Sequence, residues 1–283
     1  MKEVQVIVVT YNGRPWLERC LGSVYADADV FVVDNDSTDG SADYVAAHFP
    51  QAHLVRSADN LGFSKANNLG LRYALEKGYR YVYLLNQDAW LAPGALAVLL
   101  EAAASHPDYA VLSPLQMTDG YAALDKEFEK ILRSRQILRS AQNDKEIRAV
   151  DRVMAAHWLI PAKALEELGL FEEELFPMYG QDDDWCHRAQ KHGWKVGIVP
   201  AAKAVHDRSQ RVEDREKLIC RNYYTGSLVR LCDIRRMVWE RFLYVLAFTF
   251  VKAAKYRSWQ PFLYFGQICR QLPAVRTHRR HFR

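Results

Sequence analysis

Val30-Phe31-Val32-Val33-Asp34-Asn35-Asp36-Ser37-Thr38-Asp39-Gly40-Ser41 decides the fold of this chain. Four consecutive apolar residues, three of them Val, read as a strand buried on both faces. The run stops abruptly at a polar tip. Two other segments repeat the arrangement: residues 4–9 run into Thr10-Tyr11-Asn12-Gly13, and residues 81–85 run into Asn86-Gln87-Asp88. The stretches between them carry helical patterns, so the strands are expected to be parallel. In open α/β sheets, ligands sit beyond the carboxyl ends of the strands. Tips rich in hydroxyls, amides and carboxylates there imply a polar ligand with a nucleotide base, a ribose and a diphosphate-bound cation.

Helices are expected over residues 15–25, behind Pro15, and over 41–48, capped by Asp39 or Ser41. A short strand is expected at 53–56, a helix capped by Ser64 running to Lys77, an Ala/Leu-rich helix from Pro93 to about Ser105, and a strand at 109–115. Residues 118–150 are polar and charge-rich and read as a surface insertion. Beyond it come a strand at 153–160, a short helix closed by Gly169, a helix at 181–192 closed by Gly193, and two short strands at 195–199 and 203–206. Helices dominate from about residue 213. The expected architecture is α/β, a mostly parallel central sheet with helices on both faces. A catalytic domain of residues 1–212 precedes a basic helical region of 213–283.

The chain has 283 residues, of which 49% are hydrophobic, enough for a sizeable core. Cys20, Cys186, Cys220, Cys232 and Cys269 are odd in number and scattered, with no CxxC pair. That points to reduced thiols, not disulfides or zinc. Met1-Lys2-Glu3 leads straight into a strand, without the features of an export signal, so a cytoplasmic location is expected. Net charge is +4 but uneven. Residues 221–283 hold 13 Lys/Arg against two acids, Asp233 and Glu240, so the remainder carries an acidic excess. An anionic partner is expected at the C-terminal end only, with nucleic acid and a membrane surface as the two candidates.

Several clusters carry chemistry. Thr10, Tyr11 and Asn12 sit where a side chain can bond a pyrimidine and a tyrosine can stack on it, although Asn-Gly is also a turn signal. Asp34 and Asn35 can accept from a base N–H or ribose hydroxyl, while Ser37, Thr38 and Asp39 suit helix capping. Residues 60–68, with Gly62 and Asn67, form a turn into a helix. Such a helix start can bind phosphate, or it can simply be capped. Asp88 follows a buried strand, where a carboxylate can hold a hard cation together with substrate phosphates. Asp182-Asp183-Asp184 opens a helix. Acids there complement the dipole, yet successive positions point about 100° apart, so one of the three can face a cavity as a general base. His206 ends a strand, where imidazole acts as a structural hydrogen-bonder or a metal ligand.

Together these segments resemble glycosyltransferase family 2, inverting nucleotide-sugar transferases with the A-type fold, over roughly residues 3–210. The carriers are Val8-Val9-Thr10-Tyr11-Asn12, residues 32–41, Asn60-Leu61-Gly62-Phe63 with Asn67, Leu84-Leu85-Asn86-Gln87-Asp88, and Gly169-Leu170-Phe171-Glu172-Glu173 leading to Gln181-Asp182-Asp183-Asp184. The resemblance implies Asp182 as the catalytic base. It implies donor binding by Thr10, Tyr11, Asn12, Asp34, Asn35, Gly62, Asn67, Asn86, Gln87 and Asp88. Asp88 and His206 would hold Mg²⁺ or Mn²⁺, and Asp184 and Trp158 would lie toward the acceptor. Gln87, with Arg221-Asn222 downstream, resembles rhamnosyltransferase-type members, so dTDP-rhamnose is the favoured donor. The acceptor is expected to be a glycan or lipid-linked sugar of surface polysaccharide synthesis. Two departures stand out: Asn86 opens the metal element, and Gln181 stands where Glu is common.

The apolar run at 242–251 is too short to span a bilayer, which needs about 20 residues. With Trp239, Tyr244, Lys255, Tyr256, Arg257 and Trp259 around it, it suits an interfacial helix. An anionic membrane surface is therefore the expected partner, not nucleic acid, and the Arg276–Arg283 tail adds attraction to lipids. Two competing readings are a nucleotidyltransferase of related fold and a degenerate, membrane-bound scaffold. The first needs a Gly-rich basic loop that residues 10–14 do not provide. The altered Asn86 and Gln181 keep the second open.

Overall fold

Alternation along the first strands sorts their side chains onto two faces. The computed structural model describes residues 2–133, 146–207 and 220–282. In β1 (Val4–Thr10), Val4, Val6 and Val8 join one buried cluster and Ile7 the other. β2 (Asp29–Asp34) and β4 (Tyr81–Asn86) divide in the same way. Helices must therefore cover both faces. On one side lie α1 (Arg14–Gly22), α2 (Ser41–His48) and α4 (Ala95–Ser105), which contribute Leu17, Cys20, Leu21, Val45, Leu96 and Leu99. On the other lie α3 (Gly62–Lys77), α6 (Ala162–Leu168) and α7 (Gln181–Lys191), with Ala66, Leu71, Leu165, Trp185 and Ala189.

The remaining strands are β3 (His53–Arg56), β5 (Ala89–Leu91), β6 (Tyr109–Met117), β7 (Arg148–Val150), β8 (His157–Pro161) and β9 (Lys195–His206). Among the described residues nine strands form one sheet, ordered β3-β2-β1-β4-β8-β6-β9-β5, with β7 also on β9. β1 to β4 are parallel, as the helical connections require. Beyond β4 the sheet is mixed. β8 runs antiparallel to both β4 and β6, β6 and β9 are parallel, and β5 and β7 are antiparallel to β9. The carboxyl ends of β1, β2, β4, β6 and β9 therefore share one edge with the starts of β5 and β8. β9 is one strand where two were expected; the register against β6 shifts between Pro114 and Leu115, which absorbs the break.

The expected insertion at 118–150 needs correction at both ends. Phe128 and Leu132, on α5 (Lys126–Arg133), are fully buried in the main core, and β7 is part of the sheet. Their amphipathic pattern was hidden in a charge-rich stretch. Residues 134–145 lie outside the described residues, as does the expected boundary at 212/213.

The C-terminal helices α8 (Gly226–Cys232), α9 (Val238–Tyr256), α10 (Gln260–Arg270) and α11 (Leu272–His281) close over a third cluster. Leu228, Leu231, Val245, Ile268 and Val275 meet Leu175 and Phe176 there, the residues leading toward α7. Among the described residues no helix is long and apolar enough to cross a membrane.

Phe→Ala in a filled core typically costs about 3–5 kcal/mol. Phe128→Ala should lower stability by about that much in urea unfolding. A loss below about 0.5 kcal/mol, the range of surface substitutions, would return residues 126–133 to the surface.

Candidate functional site

Register places the polar tips side by side. Thr10 is opposite Asp34, and Val9 is opposite Asn86. The Asn35 N–H donates to Thr10 O at 2.8 Å, so the second tip is tied to the first. Among the described residues, Thr10 Oγ1 and Asp34 Oδ1 are both buried without a hydrogen-bond partner. Leaving a buried polar atom unpaired costs about 1–3 kcal/mol, so two such atoms in register are candidate ligand contacts. Tyr11 is 48% exposed beside them, open for stacking.

The other tip residues organise backbone. Gln87 Oε1 accepts from Tyr11 N at 2.8 Å, and its Nε2 donates to Tyr11 O at 3.2 Å. Asn12, with φ +50°, accepts from Thr38 N at 2.9 Å. Ser37 and Ser41 accept from the Asn12 and Gly13 N–H groups at 2.9 and 3.0 Å. The first two tips are thus one cross-linked loop pair: Ser37, Thr38 and Asp39 tie the loops together and do not cap α2, whose N-cap is Gly40 with no side-chain cap bond.

The phosphate reading of the α3 start is corrected. The N–H groups of Phe63 and Ser64 both donate to Pro177 O, at 2.7 and 3.1 Å, and Ser64 Oγ donates to Phe176 O. Leu61 N and Gly62 N are taken by Asn35 Oδ1 and Asn60 Oδ1. The N–H groups of residues 61 to 64 are therefore all taken and not open to an anion. Gly62 has φ +74°, and a Cβ there would stand 2.7 Å from Pro177 O, so the close approach requires glycine. Asn67 is buried and donates to Phe63 O within its own helix.

That closure brings in α7. Five residues separate Pro177 from Asp182, a reach of at most roughly 17 Å. A second tether arrives from β4. Asn86 N donates to Ala156 O at 3.1 Å, and four residues before Ala156, Arg152 pairs with Asp183 at 2.5 Å. The acidic first turn of α7 therefore stands at the carboxyl edge of the sheet. Its three carboxylates have three fates. Asp183 is held by Arg152. Asp184 is fully buried between Arg188, 3.0 Å away, and His278, 2.8 Å away. Asp182 accepts from the neighbouring Asp183 N–H, at 3.0 Å. Burial first, and the Asp183 charge second, push its pKa up to about 7, against the downward pull of that N–H and of Arg152.

Asp184 and Trp158 do not face an acceptor. Asp184 is consumed by its two cations. Trp158 is fully buried, 6.1 Å from Phe171 and 5.8 Å from Trp185 between ring centres, because β8 is an interior strand. Trp185 is core.

Asp88 and His206 are brought together by the β5–β9 pairing, with Ala89 opposite His206. Asp88 Oδ1 lies 3.4 Å from His206 Nε2, and both residues are buried. Among the described residues no group of three or more His, Cys, Asp or Glu side chains is placed to hold a metal ion. The donor pair fits a cation that takes its other ligands from substrate phosphates and water, as Mg²⁺ does. His157 lies beneath, bridging Tyr83 OH (2.8 Å) and Val205 O (3.0 Å), and burial pushes its pKa down to about 3. It is a neutral tie between strands. Sequence reading missed His157, Arg152 and His278, whose partners lie 31 to 106 residues away.

Residues 5–169 match the model of Glycosyl transferase family 2. The chain belongs to that family. The match ends before α7, so the acidic turn lies beyond it. The chain is 27% identical over 234 residues to the N-acetylglucosaminyl-diphospho-decaprenol L-rhamnosyltransferase of Mycobacterium tuberculosis (strain CDC 1551 / Oshkosh), covering 72% of this chain and 76% of that protein. It is 25% identical over 221 residues to the dTDP-rhamnosyl transferase RfbF of Shigella flexneri, covering 77% and 72%. The mannosyltransferase PcManGT from Pyrobaculum calidifontis, solved with GDP-Man and Mn²⁺, superposes with a TM-score of 0.63 at 20% identity, over 99% of this chain and 84% of that one. This family 2 glycosyltransferase therefore has the A-type fold, with C-terminal helices added.

Carboxylate titration by ¹³C NMR should find Asp182 near pKa 7. Arg152→Gln, which removes the nearby cation, should raise it further. An Asp182 pKa in the ordinary range near 4 would contradict the partly buried setting.

Proposed function

We propose that this family 2 enzyme moves a sugar, with dTDP-rhamnose favoured, from a nucleoside diphosphate to a hydroxyl of a glycan or lipid-linked acceptor of surface polysaccharide synthesis. The observation that carries the reading is Asp182, a partly buried carboxylate with a pKa raised to about 7 on the helix tethered to the strand tips. The names of the relatives support a rhamnosyl donor and a lipid-linked acceptor.

Thr10 and Asp34 present unpaired polar atoms to the base and ribose, with Tyr11 against the ring. Asp182, ionised above about pH 7, takes the acceptor hydroxyl proton. The freed oxygen bonds to the anomeric carbon as the bond from that carbon to the diphosphate breaks on the opposite face, so the configuration inverts. A general base tuned near the working pH is typically worth about 10²–10⁴-fold. Asp88 and His206 are the residues that would hold Mg²⁺ or Mn²⁺, which neutralises charge on a leaving diphosphate.

We place this reaction at the cytoplasmic, anionic face of a membrane. On α9, Trp239 (59% exposed), Leu243 (55%), Leu246 and Phe250 (59%) recur at helical spacing on one outward face. Trp259 and Leu263 extend that face, and Lys255 and Arg257 flank it. An apolar stripe edged by cations suits an interfacial helix. The tail contributes less than its composition suggests. His278 and Arg279 are buried, and Arg279 donates to the carbonyls of Leu231 and Asp233, at 2.9 and 2.6 Å.

Asp182→Asn should cut turnover by about 10²–10⁴-fold while the donor still binds; undiminished turnover would remove Asp182 from the base role. In flotation assays the enzyme should rise with phosphatidylglycerol vesicles at low salt, and Leu243→Glu with Phe250→Glu should abolish this. Wild-type protein left at the bottom of the gradient would refute the membrane surface.

A further inference from the structure

The last helix reaches back into the first turn of α7. His278, on α11, is almost wholly buried and places its two ring nitrogens against two carboxylates. Nε2 is 2.8 Å from Asp184 Oδ1, and Nδ1 is 3.4 Å from Glu172 Oε2. A neutral imidazole has a single N–H, whereas this arrangement asks for two donors, so the ring is an imidazolium. Its pKa agrees: burial pulls it down, but the hydrogen bonds to Asp184 and Glu172 prevail and raise it. Asp184 gives its other oxygen to Arg188 Nε at 3.0 Å. Arg188 in turn donates to Leu168 O (2.6 Å) and Leu170 O (2.9 Å) and lies 4.0 Å from the centre of the Phe282 ring. Two cations and two anions thus form a chain of charges, Arg188–Asp184–His278–Glu172, buried except at Glu172, that joins α7, the Gly169–Glu173 turn and α11. Breaking such a unit leaves an uncompensated buried charge.

The quartet meets α7 two residues from Asp182. The start of the helix is also pinned from the C-terminal side. Gly180, with φ +91°, packs so tightly that a Cβ would lie 2.8 Å from both Thr225 and Val229. The first turn is therefore set by the C-terminal helices and not by the sheet alone.

We infer that His278 is a positioning residue for the transfer reaction: through its hydrogen bond to Asp184 it fixes the first turn of α7, and with it the direction of the Asp182 carboxylate. This rests on the proposed role of Asp182. Misplacing a reacting group by about 1 Å can cost on the order of 10²-fold, and the donor tips do not touch His278. The loss should therefore appear in kcat and leave donor KM alone.

Two near-isosteres separate the contacts. The amide nitrogen of Gln reaches the place of Nε2 and keeps the Asp184 bond. That of Asn reaches the place of Nδ1 and keeps only the Glu172 bond. The experiment measures kcat per donor-binding site, counted by nucleoside-diphosphate titration, in His278→Asn and His278→Gln. His278→Asn should lose roughly 10- to 100-fold in kcat with donor KM within a factor of three, and His278→Gln should recover most of it. Hydrogen exchange across residues 177–185 should quicken in His278→Asn and not in His278→Gln, a readout that needs no turnover. Equal behaviour of the two variants in kcat and exchange, or a donor KM that moves with kcat, would overturn the inference. A wild-type enzyme without transferase turnover would instead sink the proposed function, and the exchange pattern would still decide the positioning claim.

Discussion

The carbonyl oxygen of Pro177 is the joint on which the site depends. It accepts from Phe63 N and Ser64 N, so the loop that carries Asn60 and Gly62 is held against the loop that leads to α7. Asn35 enters the same joint by accepting from Leu61 N and donating to Asn60 Oδ1 at 2.9 Å. The donor side of the sheet and the acidic helix thus share one backbone contact. It forms only because Gly62 lacks a Cβ and tolerates a left-handed φ. Without it the tips would still exist, but Asp182 would be tied to them only through the Asn86–Ala156 and Arg152–Asp183 contacts.

From that joint the electrostatics follow. Three adjacent acids at a helix start would repel one another if all were alike. Helix geometry sends them in three directions, and each meets a different environment. Asp183 meets Arg152 and Asp184 meets Arg188 and His278. Asp182 meets partial burial and its neighbour's charge. Among the described residues it pairs with no cation, and its raised pKa suits taking a proton near neutrality. The C-terminal helices supply His278 and the wall against Gly180, so the region that offers an apolar stripe to a membrane also holds the base helix in place.

Local pattern was enough to find the strand tips, because a buried strand ending in polar residues is written in consecutive positions such as Val33 and Asp34. The same holds for α7, whose acids and closing glycine are adjacent in sequence. Features built by distant partners were not legible. The three-residue strands β5 and β7 show no periodicity, and the antiparallel β8 reads like any apolar run. Phe128 and Leu132 were masked by the charges around them. The α3 start looked like an anion site because the carbonyl that fills it belongs to residue 177. Asp184 and Trp158 were assigned outward roles because burial by Arg188, His278, Phe171 and Trp185 depends on tertiary contacts. His278 itself lies 94 residues from Asp184, in a tail whose composition suggested only free charge.

Thr10, Asp34, Asp88 and His206 are proposed to form a nucleoside-diphosphate site. Its most direct test is a thermal-shift titration with dTDP, UDP and GDP, each with and without Mn²⁺ or Mg²⁺. Ligand that binds the native state raises apparent stability by mass action. The predicted result is a rise with one nucleotide, largest for dTDP, that grows when the cation is present and falls in Asp34→Ala. An absence of shift with every nucleotide, with or without metal, would contradict a donor site at these tips.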